Sequence, residues 1–294
     1  MRSFKDRNVL ITGASSGIGA ALSREFARRG AKLFLAARNR ERLEETRREC
    51  EALGAEVRLF IVDMASMASI DDFASVVLSE GLFFDCIVLN AGISQRALTF
   101  DTDFSVDRKI METNFFGPVY LTKRLSPVIR GDRKLNIAVT TSISGLFGFP
   151  QRSAYCASKH ALFGFFETVE LENPNVTMTF LIPGRINTPI SRSAVQGDGS
   201  SHGVMDAGQA NGMDVDKCAS VAYRAIARGR HRKLIGRGEL AIVYIKKWFP
   251  CLFFKIAPNI SATRFIETVI CGIQQIGVRV CDGAEASNWH TKAF

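Results

Sequence analysis

The stretch from Asn8 to Gly19 reads NVLITGASSGIG. Its first five residues are a short apolar run of the kind that forms a buried strand, and the run ends at Gly13. After the glycines, apolar residues continue at helical spacing as far as Phe26. This stretch therefore predicts a strand, a glycine-rich turn and the start of a helix, in that order.

The same alternation continues along the chain to about residue 236. It predicts further strands at 31–36, 57–62, 85–89, 135–140, 176–182 and 233–235, and helices at 17–30, 39–53, 66–80, 105–129, 153–171 and 215–228. Alternating strands and helices predict parallel strands joined by crossover helices. We expect an α/β protein with a Rossmann-type doubly wound parallel sheet, built as a single domain over 1–238 with a C-terminal appendage over 239–294.

The first turn has its glycines in the pattern G-x-x-x-G-x-G. Between a strand and a helix, such glycines let the backbone approach a pyrophosphate, and the helix N-terminus supplies free N–H groups and a positive dipole end. A glycine-rich turn alone is often only a turn, but this position favours dinucleotide binding. The residues assigned to the loop are Gly13, Ser15, Ser16, Gly17, Ile18 and Gly19.

The end of the second predicted strand bears on the choice between NAD and NADP. Arg38 stands where an acidic residue would bind the 2′-hydroxyl of NAD, and the next carboxylate is Glu41. A guanidinium suits the 2′-phosphate of NADP, although Arg38 on a solvated surface is the alternative. We expect NADP (NADPH) as the preferred cofactor and leave NAD open.

Four polar residues suggest catalysis. Tyr155 and Lys159 are four apart on a predicted helix and share one face, and a nearby ammonium lowers the pKa of a phenol so that it can exchange a proton. Ser142 follows a predicted strand, where its hydroxyl can hold a substrate carbonyl. Asn114, unfavourable in a helix, can position a water beside Lys159. Each residue alone is more often structural, so the combination carries the interpretation.

These motifs together resemble those of the short-chain dehydrogenase/reductase family. The matching pieces, TGASSGIG at 12–19, NAG at 90–92, YCASK at 155–159 and a Pro-Gly pair before Thr188, occur in family order over residues 8–236. The strings SQRALTFDT at 94–102 and YCASKHALFGFF at 155–166 are similar to the branch of dehydrogenase/reductase member seven and 11β-hydroxysteroid dehydrogenase. The resemblance implies an NADP-dependent oxidoreductase that transfers a hydride between nicotinamide and a carbonyl or alcohol carbon.

The resemblance also implies residue roles. The catalytic tetrad would be Asn114, Ser142, Tyr155 and Lys159, with Tyr155 as the proton donor or acceptor. Besides the glycine-rich loop, Arg38, Tyr155 and Lys159, the cofactor would contact Asp63, Asn90, Ala91, Gly92, Pro183, Gly184, Ile186 and Thr188. Relatives commonly pair through the helices predicted at 105–129 and 153–171, which implies a homodimer or homotetramer.

Candidate substrate residues follow the ends of the catalytic strands. They are Ser142, Ile143, Phe149 and Tyr155, with Ile93, Phe147 and Arg152 nearby. The set is mainly apolar and favours a small hydrophobic carbonyl or alcohol such as a steroid, retinoid, quinone or other lipophilic ketone or aldehyde, although some of these phenylalanines can simply fill the core. The Gly- and Ser-rich segment 185–213 predicts a mobile lid, in which His202 is expected on the surface.

Composition and motifs exclude several classes. The net charge is +9, but the chain carries no nucleic-acid-binding signature, so we expect no nucleic acid. The seven cysteines lack C-x-x-C spacing, which argues against zinc and favours a reducing compartment. We therefore expect no metal. Neither a secretory signal nor an apolar stretch of 18 residues is visible, which favours the cytoplasm.

The C-terminal segment leaves two interpretations open. Residues 228–247 carry seven Lys and Arg side chains, and Trp248–Ile256 is aromatic and apolar. This combination is typical of a peripheral membrane contact, and equally of a helix that covers the pocket or a subunit interface. We assign no role to residues 282–294.

Two other functions are weighed against the enzyme. A non-catalytic NADP-binding scaffold on the same fold would be favoured by a missing tyrosine or lysine, and both are present. An epimerase or dehydratase would usually show a different glycine spacing and a larger substrate domain, and the chain shows neither.

Overall fold

Seven parallel strands form one sheet in the computed structural model, which describes residues 2–131 and 133–259. The sheet order is β3-β2-β1-β4-β5-β6-β7. The strands are β1 Asn8–Thr12, β2 Lys32–Ala37, β3 Val57–Ile61, β4 Cys86–Leu89, β5 Leu135–Thr140, β6 Val176–Pro183 and β7 Arg232–Ile235. The order reverses between β1 and β4, which is the switch point where doubly wound sheets bind ligands. The predicted Rossmann-type α/β fold is confirmed.

Helices cover both faces of this sheet. They are α1 Gly17–Ala27, α2 Arg40–Ala52, α3 Met67–Ser79, α4 Phe104–Met111, α5 Gly117–Arg124, α6 Ser126–Ile129, α7 Ser153–Glu172, α8 Ala207–Ala210, α9 Val215–Ala227, α10 Ala241–Trp248 and α11 Pro250–Ile256. Side chains of α1, α2 and α9 fill one core layer, and those of α3, α5 and α7 fill the other. Because side chains alternate along a strand, Leu10 enters one layer while Val9 and Ile11 enter the other.

The predicted long helical stretch over about 105–129 is confirmed in its extent, but it is not one uninterrupted α-helix. Helix α4 ends at Met111, a π-helical turn occupies Glu112–Phe116, and α5 begins at Gly117. Pro118 has no N–H to donate to the helical ladder, and Gly117 packs so closely on the backbone of Met64 that a Cβ would lie 2.0 Å from its carbonyl oxygen. The wider turn carries Asn114, and such turns often occur at functional sites.

Helices α10 and α11 pack onto the main core. Ile242, Phe253 and Ile256 are buried in the same layer as side chains of β5 and β6. The ring of Phe147 lies 5.2 Å from that of Phe253, so Phe147 fills the core and does not line the substrate pocket as expected. The division of the chain at residue 238 stays a prediction.

The rest of the predicted C-terminal extension, including 282–294, lies outside the described residues. None of the helices within 2–131 and 133–259 combines the length and hydropathy needed to cross a bilayer. In the same residues, no three His, Cys, Asp or Glu side chains converge on a point that could hold a metal ion.

Candidate active site

A groove of about 330 Å³ opens at the carboxyl ends of the central strands. Almost all of the residues predicted to bind the cofactor line it, together with three of the four tetrad residues. This set is Gly13, Ser15, Ser16, Gly17, Ile18, Arg38, Asp63, Asn90, Ala91, Gly92, Ser142, Tyr155, Lys159, Pro183, Gly184, Ile186 and Thr188. Gly19 and Asn114 stand behind its wall.

The glycine-rich turn fits a nucleotide because its backbone leaves no room for side chains. Gly13 and Gly17 have φ angles of +66° and +53°, which favour glycine. A Cβ on Gly13 would lie 2.8 Å from Ala91 Cα, and one on Gly19 would lie 2.6 Å from Asn90 Nδ2. The side chain of Ser16 does not cap α1, which leaves N–H groups of its first turn for a ligand.

Two arginines stand at the end of β2, on the nucleotide side of the groove. Arg38 is exposed, and its Nη1 lies 3.9 Å from Asp63 Oδ1, which is too far for a hydrogen bond. Arg42, which no motif in the sequence marks, lines the same part of the groove, and its backbone N–H donates to Asn39 Oδ1 at 2.8 Å. The site thus offers two guanidinium groups for a phosphate.

Helix α7 brings Tyr155 and Lys159 against the end of β5. Lys159 Nζ donates to the carbonyl oxygen of Thr140 at 2.9 Å and lies 5.9 Å from the centre of the Tyr155 ring. The hydroxyl of Ser142 lies near enough to the Tyr155 phenol to lower the pKa of the phenol. The side chains of Ser142, Tyr155 and Lys159 are all buried, so the three residues lie together in a region largely shielded from water.

The electrostatics of Tyr155 differ from the expectation. Burial raises the pKa of the phenol, while the neighbouring Ser142 hydroxyl and the charge of Arg152 lower it. Lys159 was expected to lower this pKa, but burial outweighs the nearby positive charge, and Arg152 is the main cation acting on the phenol. Burial also lowers the pKa of Lys159 itself to about 8.

Asn114 connects the end of β4 to the catalytic helix. Its Oδ1 accepts from Ile93 N at 2.8 Å, and its Nδ2 donates to Ile93 O at 2.9 Å and to Ser158 Oγ at 3.1 Å. A Cβ on Gly92 would lie 3.1 Å from Asn114 Oδ1 and 3.4 Å from Lys159 Nζ, so the amide and the ammonium meet above this glycine. The predicted role in holding a water stays a prediction.

The substrate end of the groove carries more charge than expected. Ile143 and Phe149 line a smaller adjoining cavity of about 30 Å³, together with Arg152 and Asp206. Arg96 lines the main groove, and its Nε donates to Asp206 Oδ2 at 2.9 Å. The predicted lid residue Asp206 is therefore held to the loop after β4 by a largely buried ion pair.

His202 was expected to lie on the surface without a partner. Its Nε2 instead lies 3.3 Å from Asp206 Oδ1, and the side chain is largely buried. The same carboxylate thus receives Arg96 on one oxygen and His202 on the other.

Gln95 supports the candidate site from behind, and no motif in the sequence predicts this position. Its side chain is fully buried, and Oε1 accepts from the backbone N–H groups of Ala154 at 3.0 Å and Tyr155 at 3.4 Å. It therefore caps the first turn of α7, while its backbone bridges to Val195 of the lid. Its one sequence signal was its place in the string at 94–102.

Comparisons with known proteins agree with this geometry. The family profile described as short chain dehydrogenase matches residues 7–199. Dehydrogenase/reductase SDR family member 7B of Xenopus laevis is 37% identical over 257 residues, which cover 84% of this chain and 80% of the relative. The mouse protein of the same name is 38% identical over 255 residues, covering 84% of this chain and 79% of the relative.

Solved structures extend the comparison to the fold. A short-chain dehydrogenase/reductase from Burkholderia phymatum in complex with NAD matches with a TM-score of 0.74 at 24% identity, covering 84% of this chain and 95% of that one. An alcohol dehydrogenase from Thermococcus sibiricus complexed with 5-hydroxy-NADP matches with a TM-score of 0.68 at 26% identity, covering 79% and 97%.

The fold and the matching family profile define an oxidoreductase with a Rossmann-type sheet. The chain belongs to the short-chain dehydrogenase/reductase family, with relatives named dehydrogenase/reductase SDR family member 7B, and it acts on CH–OH groups. The resemblance found in the sequence is confirmed at the level of the family and of its branch.

Proposed function

We propose that this chain is an NADP-dependent oxidoreductase that transfers a hydride between nicotinamide and a carbonyl or alcohol of a lipophilic substrate, with Tyr155 as the proton donor or acceptor. One observation carries the proposal: Ser142, Tyr155 and Lys159 line the same groove as the glycine-rich turn. The nucleotide end and the proton-transfer group are thus parts of one continuous site.

The chemistry follows from the positions of these groups. Ser142 and Tyr155 hold the substrate oxygen, and the phenol gives its proton to that oxygen during reduction. When bound, the nicotinamide supplies or accepts the hydride. The raised pKa of Tyr155 keeps the phenol protonated at neutral pH, which suits carbonyl reduction. Lys159, fixed on Thr140, keeps its place beside the phenol.

The proposed preference for NADP rests on the end of β2. Arg38 and Arg42 both line the nucleotide side of the groove, and neither makes a close side-chain ion pair among the described residues. A dianionic 2′-phosphate between two guanidinium groups would form strong, charge-assisted hydrogen bonds. Related structures hold NAD in one case and a modified NADP in the other, so the discriminating residues are those of the individual chain.

The substitution Tyr155→Phe tests the proposal directly. Because general acid catalysis contributes about a hundredfold to ten-thousandfold, turnover should fall by about that factor while NADPH still binds. Turnover is measured as loss of NADPH absorbance with a panel of ketones and aldehydes, and binding by NADPH fluorescence.

The matched control is Tyr120→Phe, which removes a hydroxyl that donates to Asp71 at 2.9 Å, outside the groove. It should keep turnover close to that of the parent. Near-parent turnover of Tyr155→Phe would show that another group moves the proton. A parent that binds NADPH but reduces no carbonyl would favour the non-catalytic scaffold.

A peripheral membrane contact is proposed for the C-terminal helices. The outer sides of α10 and α11 expose Trp248, Phe249 and Phe254, and Lys247 lies 4.9 Å from the Trp248 ring. Aromatic rings beside lysines suit the interface of an anionic bilayer. Sedimentation with vesicles of phosphatidylcholine and phosphatidylserine checks this: Trp248→Ala should reduce binding, and a parent that stays in the supernatant would reject the contact.

A homodimer or homotetramer is proposed through the region of α4, α5 and α7. Phe104, Phe116 and Leu171 expose large apolar side chains there. Burial of such side chains between subunits removes apolar surface from water. Light scattering after size exclusion should give a multiple of the monomer mass, and Phe116→Glu should reduce it.

A further inference from the structure

The substrate end of the groove has two largely buried arginines and one carboxylate. Arg96 and Arg152 both line the main groove, and Asp206 is the acid that faces them. Burying a charge is unfavourable unless that charge is paired. One carboxylate cannot pair fully with two guanidinium groups, so the pocket retains positive charge beside the catalytic residues.

Arg96 forms the closer ion pair with the Asp206 carboxylate. Its Nε and Nη2 both donate to Asp206 Oδ2, the first at 2.9 Å. Arg152 Nη2 lies 3.8 Å from the same oxygen, beyond hydrogen-bond distance. Of the two arginines, Asp206 therefore pairs mainly with Arg96.

Arg152 keeps unused donors. Its guanidinium lies 5.1 Å from the centre of the Phe149 ring, and no hydrogen bond from this guanidinium is found within residues 2–131 and 133–259. Only a fifth of its side chain is exposed, so water reaches little of it. A buried guanidinium with free donors is a ready partner for a carboxylate or another anionic group, which it can bind in two parallel hydrogen bonds.

Arg152 also lies close to the residues proposed to bind the substrate. It lines the main groove with Tyr155 and Ser142, and it lines the adjoining cavity with Ile143 and Phe149. A molecule whose carbonyl lies at Tyr155 would thus have the guanidinium on one side and apolar walls beside it.

We propose that Arg152 binds an anionic group of the substrate, so that the pocket selects carbonyl compounds that carry a negative charge near the reacting carbon. This inference rests on the proposed function. Its lipophilic substrate then becomes an amphiphile, with an anionic group at Arg152 and its apolar part against Ile143 and Phe149.

A second role for Arg152 has to be separated from this one. The charge of Arg152 lowers the pKa of the Tyr155 phenol, so its loss could slow proton transfer with every substrate. An effect on the phenol would be the same for charged and neutral substrates and would shift the pH profile. An effect on binding would depend on the charge of the substrate.

The experiment compares keto acids with their methyl esters. Levulinate and longer straight-chain keto acids are reduced with NADPH beside the matched esters, by the parent, Arg152→Gln and Arg152→Lys. We expect the parent to prefer the acids, and Arg152→Gln to lower kcat/KM for the acids by about tenfold to hundredfold, mainly through KM. The esters should change by less than about threefold, and Arg152→Lys should recover part of the preference.

The matched control is Arg192→Gln, which removes an exposed arginine of the predicted lid. It should leave the preference for acids unchanged. Equal losses for acid and ester in Arg152→Gln, or a parent without preference for acids, would overturn the inference.

A binding measurement keeps the inference separate from the proposed activity. Titration of decanoate and methyl decanoate into the NADP-saturated protein reports anion binding without turnover. Decanoate should bind more tightly to the parent, and Arg152→Gln should remove the difference. Turnover of esters without any preference for anions would reject only the Arg152 site. Selective decanoate binding without turnover of any carbonyl would reject only the proposed activity.

Discussion

The two ends of the groove are built in different ways. At the nucleotide end, one continuous segment from Gly13 to Gly19 shapes the site through its backbone, and the glycines matter because they lack a Cβ. At the substrate end, Arg96, Arg152 and Asp206 come from three distant segments and shape the site through their charges. The nucleotide end should therefore respond to added volume, and the substrate end to altered polar contacts.

Apart from the loss of the Tyr155 hydroxyl, the largest expected effect is at the nucleotide end. In Gly19→Ala, the new Cβ would lie 2.6 Å from Asn90 Nδ2 and closer still to the carbonyl oxygen of Gly13. The turn would have to move, and NADPH affinity should fall by about a hundredfold, which corresponds to the upper range of overpacking energies. Fluorescence titration measures the affinity, and circular dichroism checks the fold.

The control for added volume is Gly164→Ala on the exposed side of α7, where a Cβ meets nothing within 4 Å. It should raise the free energy of unfolding by about 0.5–1 kcal/mol, because alanine favours helix more than glycine does. Unchanged NADPH affinity in Gly19→Ala would show that the turn is not the pyrophosphate site.

The next effect tests charge at the nucleotide end. Arg38→Asp should raise KM for NADPH by about tenfold to hundredfold, because a charge-assisted contact with the 2′-phosphate is replaced by repulsion. KM for NADH, which has no 2′-phosphate, should change little. Parallel kinetics with both cofactors measure this, and equal changes for the two would remove the phosphate role of Arg38.

A smaller effect is expected at the substrate end from Gln95→Ala. It removes the acceptor for two N–H groups at the start of α7, and loss of a cap weakens a helix end by about 1 kcal/mol. We expect kcat to fall by about tenfold through misplacement of Tyr155, with NADPH affinity unchanged. Gln95→Glu, which keeps the acceptor oxygen, should recover most of the rate. A Gln95→Ala variant that loses cofactor affinity instead would contradict this separation of the two ends.

The smallest effect concerns pH. Because its pKa is raised, the Tyr155 phenol stays protonated at every pH below that pKa, so a fall in pH does not remove the proton donor. Lys159 carries its charge below about pH 8 and loses it above. Carbonyl reduction at saturating substrate should therefore change by less than about twofold between about pH 6 and 7 and decline above about pH 8. A steep loss of rate from about pH 7 to 6 would indicate a required base that these residues do not provide.

Much of the candidate site could be predicted from the sequence, because the patterns that predict it lie among residues close together in the chain. The strand at 135–140 and the spacing of Tyr155 and Lys159 follow from short-range periodicity, and the observed β5 and α7 agree with them. The π-helical turn inside the helical stretch over 105–129 could not be predicted, because it lies beside the close packing of Gly117 on Met64, a contact with a distant segment.

By itself, the sequence determined the parallel α/β sheet, the glycine-rich turn and the family, because strands, helices and turns are encoded by neighbouring residues. Tertiary structure alone decided that Phe147 fills the core, that Gln95 caps α7 and that Asp206 pairs with Arg96 while Arg152 keeps free donors. It also decided that the pKa of Tyr155 is raised. Burial and charge pairing depend on which distant segments meet, and no local pattern records that.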